Sequence, residues 1–245
     1  MLSLKALLLG AWFAALAFLE RIAPSAPRPA GERRVGRNLA LWAVSTLMNP
    51  VLTLPISMAA AGFVIWTRPE LPVWAALMLD LLLLDLWTYA WHRANHEWPL
   101  LWRFHRVHHL DEFLDTTSAV RFHPGEVLIS ALARAPLIVL ADIDLASILL
   151  FDSMMLASAL FHHSNVRLPL KVEAALRMLV VTPSHHWVHH HAIRADTDSN
   201  YGALLTVWDR LLGSWSKTAR TPSMRIGVEG REDRALTDLV VEPMR

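Results

Sequence analysis

His92-Arg93-Ala94-Asn95-His96, followed at once by His105-Arg106-Val107-His108-His109 and echoed later by His186-Trp187-Val188-His189-His190, is the pattern around which the chain is organised. The first box is H-x3-H and the other two are H-x2-H-H. On a helix, residues three and four apart share a face, so each box aims two or three imidazoles in one direction. Neutral imidazole is the commonest side-chain ligand for iron, copper and zinc. All 13 histidines lie between positions 92 and 191, most of them in these boxes. A lone H-x3-H pair would be a tolerated polar accident. Three boxes at these spacings point to a metal site, and to two metal ions.

Composition places that site. The 245 residues are 54% hydrophobic and 18% charged, with a mean hydropathy of +0.33, too apolar for an ordinary soluble domain. A net charge of +1 makes no case for an anionic partner, and no nucleic-acid partner is expected. Cysteine is absent, which excludes disulfides, thiolate nucleophiles, zinc ribbons and iron–sulfur clusters. Metal binding must rest on nitrogen and oxygen.

Apolar runs precede and separate the boxes. Leu2 to Leu19, broken only by Ser3 and Lys5, has the length of a signal peptide or a first transmembrane helix. A retained helix is the preferred reading, because cleavage would leave the basic flank Arg21, Arg28, Arg33, Arg34 and Arg37 outside the cytoplasm. Leu39 to Trp66 is interrupted by Asn49-Pro50 and Pro55, which predicts a kink. Val73 to Trp91 runs straight into the first box and carries Asp80 and Asp85. An acid inside a span is costly and usually faces the bundle interior or a site. Asp85 stands two turns before His92 on the same face, a candidate for supporting a ligand. Glu126 to Ala141 and Leu145 to Phe161 read as a thinly spanning hairpin, with Arg134 an unusual charge inside the first. Leu168 to Val181 reads as a helix on the membrane surface.

The Lys and Arg distribution gives a topology. The loop 20–38 has five, 67–72 has one, 92–124 has four, 141–144 has none and 162–245 has eleven. Alternating sides gather the basic segments, and with them every histidine box, on one face, which the charge rule makes cytoplasmic. The fold expected is an all-α integral membrane bundle of about four to five spans with a cytoplasmic histidine-rich helical cap. Residues 1–72 form N-terminal membrane helices, 73–216 the catalytic domain and 217–245 a polar tail. The chain is expected to be multi-pass, in the inner membrane if bacterial.

Further motifs carry a resemblance. Leu101-Trp102-Arg103-Phe104-His105 precedes the second box. Arg121-Phe122-His123-Pro124-Gly125-Glu126, Phe161-His162-His163-Ser164-Asn165, Thr182-Pro183-Ser184-His185-His186, Asn200-Tyr201-Gly202 and Trp208-Asp209-Arg210-Leu211-Leu212-Gly213 follow in order. With the boxes, this set resembles the membrane fatty acid hydroxylase / sterol desaturase superfamily over roughly residues 85 to 215. The resemblance implies a di-iron, O2-dependent oxidoreductase that hydroxylates or desaturates C–H bonds of a lipid or sterol-like substrate. Residue chemistry agrees, since an unactivated C–H bond needs an oxidant that side chains cannot supply. His191 and Trp187 depart from the family pattern, which has a small residue and often arginine there.

Spacing and resemblance together assign His92, His96, His105, His108, His109, His163, His186, His189 and His190 as metal ligands and catalytic residues, with His123 as a tenth ligand. His123-Pro124-Gly125-Glu126 also mimics the haem turn of small cytochrome b domains, but apolar membrane sequence follows directly. His162, His185 and His191 read as neighbours of the ligands. Glu97, Glu126, Asp196 and Asp209 are candidates to accept a ligand's other N–H. The cofactors expected are two iron ions, which zinc can replace in purified protein, together with O2 and an external electron donor, because the sequence shows no redox module. Partners are the lipid substrate, membrane lipid and a separate electron carrier or reductase. A membrane zinc hydrolase is the alternative, but H-E-x-x-H is absent and catalytic zinc takes about three protein ligands. A metal transporter would carry histidines within its spans. Substrate is expected to enter sideways from the bilayer, through a narrow apolar tunnel lined by the 73–91 and 145–161 helices, with Leu84 and Met155 facing inward.

Overall fold

The computed structural model describes residues 2–245. They are helical throughout, with no strand among them beyond isolated bridges. In chain order the helices are α1 (Leu2–Ile22), α2 (Arg33–Met48), α3 (Leu54–Gly62), α4 (Val73–Glu97), α5 (Pro99–His109), α6 (Pro124–Ala141), α7 (Leu145–His163), α8 (Leu170–Leu176), α9 (Pro183–His189), α10 (Arg194–Thr197), α11 (Val207–Leu211) and α12 (Leu236–Val241). Four stretches are long and apolar enough to cross a membrane: Arg33–Gly62, α4, α6 and α7. The first joins α2 to α3 through a π-helical turn, Asn49–Thr53, where Pro50 and Pro55 remove backbone donors. The first apolar run forms α1, which is not among the four and lies along α7. Trp12 Nε1 donates to the Ala157 carbonyl at 3.0 Å, and Leu16 is buried against Leu160.

The bundle core is Leu84, Ile138, Ile143, Ile148 and Phe151. Leu7, Leu47, Val51, Trp74, Leu132 and Leu140 are exposed, so the helices are apolar on both faces, as lipid-facing helices are. The α6–α7 turn is tight. Asp142 adopts φ +52° at the end of α6, and the Asp144 carboxylate caps α7 by accepting from Ala146 N at 3.0 Å.

Helix length puts the first box at the end of a span. At 1.5 Å per residue α4 is about 37 Å long, more than a hydrocarbon core of about 30 Å. The excess of about 7 Å is a little over one turn, enough for the last turn, with His96, to reach past such a core and for His92 to stand at its edge. Trp98 is extended, Pro99 opens α5, and the chain doubles back to set the second box beside the first. The surface helix expected over 168–181 is shorter: α8 ends at Leu176, and Val180 bridges to Leu205 instead.

Buried ion pairs knit the cap. Arg34 pairs with Asp111 at 2.8 Å and also with Asp115. Asn38 donates to Asp111 at 2.9 Å and accepts from Arg121 at 3.0 Å. Burial pushes the Asp111 carboxyl up, but the Arg34 and Arg121 guanidiniums more than offset this and hold it below the usual carboxylate range. The segment beyond 217 is tied into the same network. Arg121 Nη2 reaches Asp233 at 2.5 Å, Arg37 also pairs with Asp233, and Arg106 meets Glu242 at 2.7 Å. Backbone bonds from Ala192 N to Arg225 O (2.8 Å) and from Gly227 N to His190 O (3.1 Å) seat this strap against the third box.

Arg121 has no exposed surface, so Arg121→Met leaves the Asn38 side-chain oxygen without its donor and Asp233 with Arg37 alone. A loss of about 1–3 kcal/mol is expected, read as a lower thermal midpoint in detergent and as protease cleavage between 217 and 245. An unchanged midpoint would show that the network does not hold the strap.

Candidate metal centre

The three boxes and the end of α7 converge. His92 and His96 come from α4, His105, His108 and His109 from α5, His163 from the last turn of α7, and His186, His189 and His190 from α9 and its C-cap. They form two groups. His92, His96, His105, His109 and His189 each offer one ligand atom within 4.8 Å of the others, and so do His108, His163, His186 and His190. Eight of the nine are buried, and His92 nearly so.

Hydrogen bonds fix which ring nitrogen faces inward. His108 Nδ1 donates to the Arg121 carbonyl at 3.1 Å, and His163 Nδ1 to the Ala159 carbonyl at 2.8 Å. A carbonyl only accepts, so both Nε2 atoms are unprotonated. Those two lone pairs nevertheless face each other at 3.1 Å. His163 Nε2 is also 3.0 Å from His186 Nε2, which is 3.1 Å from His190 Nε2. In the other group His92 Nδ1 donates to Tyr201 O (2.8 Å), His189 Nδ1 to Ser199 O (2.7 Å) and His105 Nδ1 to Glu126 Oε1 (2.6 Å). Their Nε2 atoms again turn inward, and His189 Nε2 is buried with no partner.

Bare lone pairs repel unless something positive lies between them. Two imidazoles bound to one ion at about 2.1 Å bring their nitrogens to roughly 3.0–3.4 Å apart, the spacing seen here. The residues therefore fit a metal in each group. Burial holds His108, His109, His186, His189 and His190 well below the ordinary imidazole value, and neighbouring imidazoles act in the same direction. The rings stay neutral and available as ligands.

His123 stands apart. Its Nδ1 accepts from Gly125 N at 2.9 Å and its Nε2 donates to Val240 O at 3.0 Å. Both nitrogens are engaged in capping α6 and holding the C-terminal strap, so the structure brings it to neither group. His162 packs against His186 with ring centroids 4.1 Å apart and the rings tilted by 47°. His185 meets Asp209 at 3.1 Å, and His191 meets Asp196 at 2.7 Å. Of the acids, Glu126 supports a histidine of the first group, while Glu97 pairs with Arg93 on the surface. Asp80 pairs with Arg68 at 2.6 Å, and Asp85 accepts from Trp208 Nε1 at 2.7 Å, pinning the loop after the third box to α4. Asp209 also accepts from Gly202 N and Ser214 Oγ. A Cβ on Gly202 would sit 2.6 Å from that carboxylate, so only glycine fits. Sequence reasoning missed Asp198, 3.4 Å from His96 Nδ1, and the backbone carbonyls that orient four of the imidazoles. Main-chain acceptors leave no residue-type signal.

Beside the histidines lies a cavity of about 560 Å³ with a mostly apolar lining. His92, His105, His108, His163 and His186 border one end, and walls from α6 and α7, Met155 among them, continue into the bundle. Leu84, expected to face inward, is instead fully buried in the core. On α4 the cavity is lined instead by Thr88, Trp91, His92 and Asn95, nearer the C-terminal end of the helix than Leu84.

Residues 77–214 match the model of the fatty acid hydroxylase family. The chain belongs to that family. Similar proteins include an ornithine lipid hydroxylase of Rhizobium tropici, 31% identical over 70% of this chain and 51% of its own. An alkylglycerol monooxygenase of Danio rerio is 30% identical over 54% of this chain and 28% of its own. A cholesterol 25-hydroxylase-like protein of Danio rerio is 29% identical over 55% of this chain and 53% of its own. The chain thus spans about half or less of the length of these relatives. No solved structure matches it. The family match covers all nine converging histidines and their supports.

Glu126 is the one carboxylate that accepts from an imidazole of the first group at close range, so Glu126→Gln is expected to lower metal affinity about 10–100-fold. Competition with a calibrated chelator reads this directly. Affinity within twofold of the unmodified protein would remove Glu126 from that role.

Proposed function

We propose that the chain is a membrane di-iron oxygenase that uses O2 to hydroxylate a C–H bond of a lipid or sterol-like substrate. The observation that carries this reading is the junction of two lone-pair clusters with an apolar cavity that runs into the helix bundle. His92, His96, His105, His109 and His189 would hold one iron, and His108, His163, His186 and His190 the other. The irons, when bound, supply the electron exchange with O2 that cleavage of an unactivated C–H bond requires. One oxygen atom enters the bond and the other leaves as water, consuming two protons and two electrons from a separate carrier.

This chain's residues do the rest. The Arg121, Ala159, Ser199 and Tyr201 carbonyls and the Glu126 carboxylate fix ring orientation. Leu110, Trp187 and Val188 are almost fully buried around the boxes and keep bulk water from the centre. Apolar walls on α6 and α7 bind a hydrocarbon chain by its surface. Two relatives act, by name, on an ornithine lipid and an alkylglycerol, and a third is named as similar to a cholesterol 25-hydroxylase. Both named lipids are amphiphiles, which suits a cavity reached from between helices. The basic asymmetry of the loops supports a cap on the cytoplasmic side, where a soluble electron donor can dock. The number of converging imidazoles favours two irons over the single three-ligand site of a zinc hydrolase.

Purified protein is expected to carry close to two transition-metal ions per chain, with zinc replacing iron in part of overexpressed material. His108→Ala and His189→Ala should each lose metal and abolish activity while the protein remains in the membrane fraction. Lipid extracts of cells with and without the gene, grown under oxygen-18, should differ in a hydroxylated lipid carrying the label. Full activity in either variant, or product without the label, overturns the assignment.

A further inference from the structure

The end of the cavity remote from the histidines is charged. Lys5, Ser57, Arg134 and Asp152 line it, beyond a stretch walled by Ala131, Met155, Leu156 and Ala159. Arg134 Nη1 donates to Asp152 at 2.6 Å and Nη2 to Ser57 Oγ at 3.3 Å, while its Nε–H has no acceptor. Lys5 Nζ reaches only the Leu149 carbonyl, at 3.3 Å, and has no carboxylate in ion-pair range among the described residues. Two cations therefore face one anion. Arg134 and Asp152 stand inside α6 and α7, where ionisable side chains are costly. An apolar pair of the same volume would hold these two helices as well or better, so packing does not explain the pair.

Asp152 and His163 are eleven residues apart on α7, which places the charged foot about 16 Å from the histidine end. We propose that this foot binds the anionic group, a carboxylate or a phosphate, of an amphiphilic substrate. Lys5 supplies the uncompensated charge and Arg134 the directed donors, with Asp152 holding the guanidinium in place. The hydrocarbon part lies between foot and metal centre, and the bond that reacts is remote from the charge. The proposal rests on the reading of the cavity as a lipid pocket.

The test uses the purified full-length chain and four ligands with the same hydrocarbon chain: dodecanoate, dodecyl phosphate, dodecanol and dodecyltrimethylammonium. They differ in mass, so native mass spectrometry of one equimolar mixture ranks them. Either anion is expected to bind about tenfold or more tightly than the alcohol, with the cation weakest, and the stronger anion identifies the group. Lys5→Gln and Arg134→Gln should each reduce that preference severalfold while leaving dodecanol binding unchanged. Equal binding of all four, or a preference that survives both substitutions, overturns the anion subsite and leaves the lipid pocket standing. Binding of none of them overturns the lipid pocket itself. Should Arg134→Gln fail to insert, the ranking in unmodified protein and the Lys5→Gln variant still decide.

Discussion

Nine imidazoles gathered about two common points are the constraint on which the rest of the structure depends. Unprotonated ring nitrogens at such spacings repel one another, and a cation between them relieves the repulsion. The arrangement also has to be assembled from distant parts of the chain, because one helix can aim at most two or three histidines in one direction. The protein meets this by fixing each ring from behind. A carbonyl or carboxylate takes the Nδ1–H of His92, His105, His108, His163 and His189, which settles tautomer and orientation before any ion arrives. Burial disfavours protonation of His108, His109, His186, His189 and His190, and an imidazolium could neither bind metal nor tolerate its neighbours.

Those supports must themselves be held, and this explains how polar the cap is inside. Carbonyls can aim at imidazoles only where the chain is irregular, as at Arg121, Ser199 and Tyr201. Irregular buried backbone needs partners. Arg34, Asn38, Asp111, Arg121 and Asp233 supply them in one connected set, and Arg121 belongs to both systems: its carbonyl orients His108 while its side chain ties the strap. Asp85 and Asp209 do the same for the loop after the third box, whose turns Gly202 makes possible. Buried ion pairs of this kind contribute little net stability, but they make a single arrangement of loops far better than its alternatives.

The bundle below has a different task. It carries the first box at the end of α4 and leaves a mostly apolar cavity beside α6 and α7. The family match runs from within α4 to the loop that follows the third box. Lys5 lies outside it, on a helix that packs along α7. The parts that hold the centre and the parts that shape the remote end of the cavity thus come from different stretches of the chain.

Much of this was legible in the sequence, because the signals were local and chemical. Apolar runs set the helices, three boxes set the histidine faces, and Pro50 and Pro55 marked the break between α2 and α3. What sequence spacing could not decide was how histidines from α4, α5, α7 and α9 divide between two groups, since that depends on where helices far apart in sequence come to lie. His108 separates from His105 and His109, although all three share a box, because neighbours on one helix point along slightly different directions and meet different partners. His123 sits in a motif that looks like a ligand, yet it caps a helix, because a ring nitrogen two residues before Gly125 N finds that donor first. The backbone carbonyls behind the rings, the ion pair of Arg134 with Asp152, and the burial of Leu84 in the core rather than along the cavity are likewise matters of packing. Residue type shows what a side chain can do, and only the tertiary structure decides which neighbour it does it to.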